Sequence, residues 1–315
     1  MFNAQRLRIL REVSDRGTIT AAAEALYLTP SAVSQQMAVL EREAGTPVLE
    51  RVGRGIRLTE AGQRLAAHAD AVLAALEAAE ADLASIAGGP VGCLHVCAFP
   101  SAARALLLPA IAELRERHPG LGITMVDLEP EESLPALRIG ELDLVVTAEY
   151  GILASTADPA FEQEHLLTEP MLLALPRGHA QAGRPTALAD LRSDQFIVGR
   201  DGSPFLDVVV RLTEGAGFHP RVDLHSNDFQ VILAAVGDGL GVALVPPLAI
   251  TGEHPDVVFQ TLKGVHAERR TFAAVRAGSR ENPSIAAVVS ALRRAAADIS
   301  LDVRVERTGG GASEA

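Results

Sequence analysis

Apolar positions change rhythm three times along the chain. In residues 3–16, Leu7, Leu10 and Val13 recur at helical spacing, with Asn3 placed to cap the start and Gly17 to close the end. A second short helix is expected to begin at Thr20, whose hydroxyl serves the orphan N–H groups with Glu24 assisting. Ala21, Ala22, Ala23 and Ala25 let a neighbouring helix come close, and Tyr27-Leu28 forms the turn. Thr29 then caps a third helix over Pro30–Ala44, with proline at its first position and Gly45 as its stop. Short strands follow at 48–51 and 56–58, around a tip at 52–55. From 63 to 87 there is no glycine or proline, and Leu65, Val72, Leu76, Ala79, Leu83 and Ile86 recur at roughly 3.5-residue spacing. Past Gly88-Gly89-Pro90 the pattern becomes strands alternating with helices. Strands are expected at 92–99, 122–128, 142–147, 171–175, 195–198, 222–225, 241–245, 257–261 and 271–275. Helices are expected at 101–118, 133–139, 203–215, 228–236 and 282–299. The run at 92–99 is nearly continuous in apolar residues, which predicts burial on both faces.

Two of these helices carry more than a core. At about 100° per residue, Val33, Met37 and Leu40 form the inward stripe of the third helix, with Gln36 at its edge. Ser31, Ser34, Gln35, Ala38 and Arg42 fall opposite. That face is short, polar and low in acid, as a helix laid in a DNA major groove requires. Arg51, Arg54 and Arg57 flank the strand tip, within reach of phosphate or the minor groove. The helix over 60–87 would be about 42 Å long at roughly 1.5 Å per residue. Its apolar seam calls for a second copy, which would hold two reading heads at a fixed separation.

The expected fold class is α/β. Residues 1–59 form a winged helix-turn-helix, 60–90 a dimerising linker helix and hinge, 91–303 an α/β domain, and 304–315 a disordered tail. Charge fits this division. The chain is acidic overall, at −12, yet residues 1–64 hold nine arginines against seven acids. Positive charge sits in the one segment expected to meet phosphate, so non-specific affinity should be modest and salt-sensitive. No apolar run reaches membrane-spanning length and the start lacks a signal-peptide layout, so a cytoplasmic location is expected. Cys93 and Cys97, the only cysteines, would lie roughly 13 Å apart on one strand at about 3.3 Å per residue. That is too far for a disulfide. With no histidine pair at ligand spacing, neither a metal site nor a cofactor is expected.

The run A-A-A-E-A-L-x-L-T-x-S-A-V-S-x-Q-M-x-x-L-E, followed by G-T-P-V-L-E-R-x-G-R-x-I-R-L-T-E-A-G, resembles the DNA-binding head of LysR-type transcriptional regulators. The likeness is close over about the first 90 residues and looser to about residue 300. Two positions depart from the family pattern. Pro30 stands where a base-reading glutamine is common, and Leu49 where phenylalanine is common before Glu50-Arg51. The resemblance implies a bilobal effector domain similar to type 2 periplasmic binding proteins, its lobes joined by two crossing strands. The first lobe is placed at 91–164 plus 265–303 and the second at 165–264. It also implies a dimer of dimers, a small-molecule effector and contact with RNA polymerase.

Ligands of open α/β sheets bind beyond strand C-terminal ends, at helix starts. This points to Phe99-Pro100-Ser101, Thr147, Gly202-Ser203, Asn227-Asp228 and Val245-Pro246. The expected ligand is a small, often carboxylate-bearing metabolite held between Ser101, Thr147, Ser203 and Asn227. His95, Arg104 and His225 are secondary candidates. The DNA-facing set is Thr29, Ser31, Ser34, Gln35, Gln36 and Arg42 with the three wing arginines. Two rival readings are a cytoplasmic enzyme on the same bilobal fold, as in cyclohexadienyl dehydratases, and a DNA binder that needs no effector. With no nucleophile elbow and no paired acid–base constellation, an enzyme is not expected.

Overall fold

Short polar side chains at helix starts and glycines at helix ends set the N-terminal head. The computed structural model describes residues 1–52, 55–86, 89–153 and 158–300. Helix α1 (Ala4–Arg16) is capped by Asn3, which accepts from the Gln5 N–H, and Gly17 closes it at φ 67°. Helix α2 (Ile19–Ala25) starts earlier than expected. Its cap is Thr18, which accepts from the Ala21 N–H at 3.1 Å. Thr18 has the extended backbone a cap needs, whereas Thr20 already lies within the first turn. The turn that follows puts Tyr27 at φ 50°, the one non-glycine with positive φ among the described residues. Helix α3 (Pro30–Ala44) is capped by Thr29 and closed by Gly45. Its Val33, Met37 and Leu40 are buried against Leu10 and Leu26. Strands β1 (Leu49–Val52) and β2 (Gly55–Leu58) form the antiparallel wing, with Glu50 opposite Arg57. Gly53 and Arg54 at its tip lie outside the described residues, as do Ala87, Gly88 and the tail expected at 304–315.

Helix α4 (Glu60–Ile86) has two working faces. Along one, Gly62, Ala66, Ala69, Glu77 and Ala81 are buried against the chain itself. Small residues are required there: a Cβ on Gly62 would lie 2.1 Å from the Val48 carbonyl oxygen. Another face leaves Val72, Leu76, Ala79, Leu83 and Ile86 exposed, Leu83 at 69% and Ile86 at 80%. Leu65 does not share that exposure. It is half-buried on the core of the head, because α4 is still packed on the wing and α1 at that point.

The chain then builds β3 (Gly92–Ala98) and a continuous helical run made of α5 (Pro100–Ala102), a π-turn (Ala103–Leu107) and α6 (Leu108–Arg117). Next come β4 (Leu121–Asp127), α7 (Pro130–Ile139), β5 (Leu144–Tyr150) and β6 (Phe161–Pro170). It crosses into β7 (Leu172–Pro176), β8 (Thr186–Ala187), β9 (Gln195–Val198), α8 (Pro204–Gly215), β10 (Arg221–His225), α9 (Phe229–Gly237), β11 (Ala243–Val245), β12 (Val257–Gln260) and β13 (Leu262–Lys263). It returns through β14 (Glu268–Arg276) and ends on α10 (Pro283–Ala297). The first lobe is a five-stranded sheet in the order β4-β3-β5-β14-β6, with β14 antiparallel to both neighbours. In the second lobe β7 lies between β11 and β12, and β9 pairs in parallel with β10.

Strand β6 was not expected. Its sequence, FEQEHLLTEP, is largely polar, because it forms the sheet edge and buries only Leu167 and Glu169. Its pairing with β14 runs to Pro170, and Met171 N–H bonds to the Ala267 carbonyl at 2.8 Å. The crossings between lobes therefore fall after Pro170 and before Glu268, later than the expected 164/165 and 264/265. Strand β3 is fully buried only at Val96, Cys97 and Ala98, the stretch flanked by both β4 and β5. Its first half is mostly exposed, including Cys93 and His95. No helix among the described residues is long and apolar enough to cross a membrane.

The head rests on the first lobe through ion pairs. Arg138, near the end of α7 and 9% exposed, meets Glu12 at 3.4 Å and Asp15 at 2.9 Å from α1, and also Asp158. Glu77 of α4 accepts from Arg8 at 2.8 Å and from Arg276 at 2.6 Å.

Candidate functional site

The outward face of α3 carries Ser31, Ser34, Gln35 and Arg42, all exposed, with Gln36 half-buried at its edge. Thr29 is committed to its cap and shares a 3.0 Å hydrogen bond with Ser31. Arg42 folds back so that its Nε donates to the Ala38 carbonyl. On the wing, Arg51 is exposed and makes no ion pair among the described residues. Arg57 pairs with Glu50 at 2.6 Å. Both partners are well exposed, so this pair is worth only about 0–1 kcal/mol and yields readily to a phosphate. The expected role of Arg54 falls on a residue outside the described set.

The second site is a cavity of about 280 Å³ between the lobes. Four helix starts meet at its wall: the run from Pro100, α7, α8 and α9. Three begin with proline at the first position, Pro100, Pro130 and Pro204. Ser203 caps α8 by accepting from the Leu206 N–H at 3.2 Å, and Asp228 caps α9 by accepting from Gln230 N–H at 2.8 Å. Asn227 accepts from Arg200 N–H at 2.9 Å. Gly199 permits this closeness, since a Cβ there would lie 2.1 Å from the Ser203 hydroxyl. Phe99, Pro100, Ser101, Ser203, Asn227 and Asp228, all expected, line the cavity together.

Four expected residues do not. Thr147 is buried and lines only a neighbouring cavity, as does Gly202; Ala148 and Tyr150 of the same strand border both cavities. Val245 and Pro246 are buried, and a turn at Pro247–Ala249 brings Ala249 to the wall in their place. Of the secondary candidates, Arg104 lines the cavity and donates to the Leu248 carbonyl at 3.1 Å. His225 bonds to the Gly199 carbonyl, and His95 is exposed on β3.

The residue at the centre was missed. Arg269, 2% exposed, reaches Glu169, 0% exposed, at 2.7 Å and donates to the Ser101 hydroxyl at 3.3 Å. Its guanidinium lies 4.9 Å from the Phe99 ring centroid. Glu169 also accepts from the Leu248 N–H at 2.7 Å, which ties the strand crossing to the second lobe. Glu129 and Glu131 were also missed, although Glu129-Pro130-Glu131 has the same strand-end and N1-proline signature as Phe99-Pro100-Ser101. Burial, reinforced by Glu131, pushes the Glu129 carboxyl up to about 7, with Arg269 and Arg200 opposing. Burial holds the Tyr150 phenol at about 12, so it keeps its proton at neutral pH. Burial likewise pushes the Cys97 thiol up to about 12, which disfavours a reactive thiolate.

A polar helix face with a wing, joined through a long helix to a two-lobed α/β domain enclosing a cavity, defines a one-component regulator: DNA reader and ligand sensor in one chain. Residues 4–63 match the model of bacterial regulatory helix-turn-helix proteins of the lysR family, and residues 87–297 match the LysR substrate binding domain. The chain belongs to the LysR-type transcriptional regulators. It is a DNA-binding transcriptional regulator with an effector-binding domain, and not an enzyme. It is 29% identical to the probable regulator LrrA of Synechococcus elongatus, over 95% of this chain and 99% of that one. A probable hydrogen peroxide-inducible genes activator of Mycobacterium avium is 32% identical over 78% of each chain. Among solved structures, full-length CbnR complexed with its target DNA is 25% identical, with a TM-score of 0.53 over 93% of this chain and 100% of that one.

Proposed function

We propose that the protein acts in the cytoplasm as a dimer of dimers on promoter DNA and answers to a small carboxylate-bearing metabolite held between its lobes. The exposed stripe of Val72, Leu76, Ala79, Leu83 and Ile86 pairs with the same stripe of a second copy. Two heads then read a short inverted repeat through Ser31, Ser34, Gln35 and Gln36, with Thr29 and Arg42 beside them. Arg51, Arg54 and Arg57 set register on the backbone. Effector bound more tightly to one lobe arrangement than to the other changes the spacing of the heads, and with it DNA bending and contact with RNA polymerase.

The observation that carries the effector part is the meeting of helix starts on one inter-lobe cavity. The run from Pro100, α8 and α9 turn N–H groups and positive dipole ends toward it, beside the hydroxyls of Ser101 and Ser203 and the amide of Asn227. These groups suit a carboxylate. Footprinting on the promoter beside its own gene, with and without members of a panel of small carboxylic acids, tests this. A ligand-dependent change in the protected pattern is expected, and Ser101→Ala should weaken it. An identical footprint with every acid counts against the reading.

A further inference from the structure

The wall of the same cavity also carries acid, close to the start of α8. Glu129 and Glu131 line it from the start of α7, and neither forms an ion pair among the described residues. The Glu131 Oε2 atom is buried with no hydrogen-bond partner. Of the cations nearby, Arg200 is exposed and makes no ion pair with either acid among the described residues. Arg269 is already matched by Glu169, and Arg104 is turned to the Leu248 carbonyl. Aromatic rings of Phe99, Tyr150, Phe205 and Phe229 supply apolar wall for a side group. The volume equals roughly nine waters at about 30 Å³ each, room for a ligand of about ten non-hydrogen atoms.

We infer that the effector is a zwitterion of the amino-acid class with an apolar side group, its ammonium held by Glu129 and Glu131 and its carboxylate at the starts of α8 and α9. The inference rests on the reading of this cavity as the effector site, and adds the cationic pole. A buried carboxylate without a partner costs free energy until a proton or a cation joins it. Glu129 is faced by Glu131 and Glu132 on its own helix, and by Arg200 and Arg269 from the other elements. Near neutral pH it shares its site with a proton, and an incoming ammonium displaces that proton to solvent. No bond is made or broken in the ligand.

Three probes separate the two poles: L-phenylalanine, 3-phenylpropionate with no amine, and phenethylamine with no carboxylate. Calorimetry on the full chain at pH 6.5, in two buffers of different ionisation enthalpy, gives both affinity and proton release. L-Phenylalanine is expected to bind at least tenfold more tightly than 3-phenylpropionate and to release protons, which 3-phenylpropionate does not. Glu129→Gln, isosteric and relieved of a buried charge, should remove both differences while still binding 3-phenylpropionate. Glu131→Gln should reduce them. Equal affinity for L-phenylalanine and 3-phenylpropionate in the wild type overturns the inference but leaves the carboxylate site standing. Binding of phenethylamine with no gain from a carboxylate overturns the carboxylate site and the zwitterion, leaving only a cation pocket. No binding of any probe at millimolar concentration overturns both.

Discussion

Arg269 and Glu169 sit where β14 and β6 leave the first sheet, and almost no water reaches either. Such a pair adds little over an apolar pair of the same size, but breaking it strands a charge. Glu169→Gln is expected to cost about 3–5 kcal/mol in urea unfolding, against a smaller loss for the double change Glu169→Gln with Arg269→Met. Glu129 gives a second prediction. Its folded pKa of about 7 lies above the ordinary 4.5 of a glutamate. Between those values the folded chain binds more protons than the unfolded one, so this group's contribution to stability falls as pH rises through the window. The melting temperature of the wild type should therefore drop more between pH 5 and pH 8 than that of Glu129→Gln. The sequence shows why the two kinds of site residue differed in legibility. Ser101, Ser203, Asn227 and Asp228 announce themselves as polar residues at strand–helix turns, a local signal. Arg269 is one arginine among many, and only the pairing of β14 with β6 and β5 carries it across to Ser101, 168 positions away.

Helix starts carry local marks in the sequence that strands lack. Caps at Asn3, Thr29, Ser203 and Asn282, with proline at the first position of five helices from Pro30 to Pro283, mark starts that need no tertiary knowledge. Strand β6 gave no such mark, since an edge strand keeps its polar side chains in water. The sequence pattern puts the start of α7 at Ser133, which hides the Glu129 cap and the Glu131 of its first turn. Helix α4 shows the limit of periodicity alone. Its 3.5-residue pattern falls, beyond Leu65, on residues that are exposed within one chain, but the face of Gly62, Ala66, Ala69 and Ala81 is marked by smallness and reads as filler. Because the stripe is exposed within one chain, Leu76→Glu with Leu83→Glu should leave folding intact. The double variant is expected to sediment as a monomer, with promoter affinity falling more than tenfold. Retention of the dimer would show that another surface holds the copies together.

Taken whole, the molecule keeps its positive charge in the head and an excess of acid elsewhere. Non-specific DNA affinity is then expected to be modest, which leaves the proposed contacts by the face of α3 to decide where the protein stays. Helix α7 has one more consequence. It is a ten-residue rod whose Glu129 and Glu131 end borders the ligand space, while its Arg138 end is gripped by Glu12 and Asp15 of the head. A see-saw is expected: a nudge at the first end passes to the second along this one helix, with Pro135 midway, rather than through a relay of side chains on other elements. Arg138→Gln should cut that mechanical link, so that probe affinity in calorimetry survives while the footprint stops answering to the probe. A footprint that still answers would mean the message travels to the DNA by way of the partner copy instead.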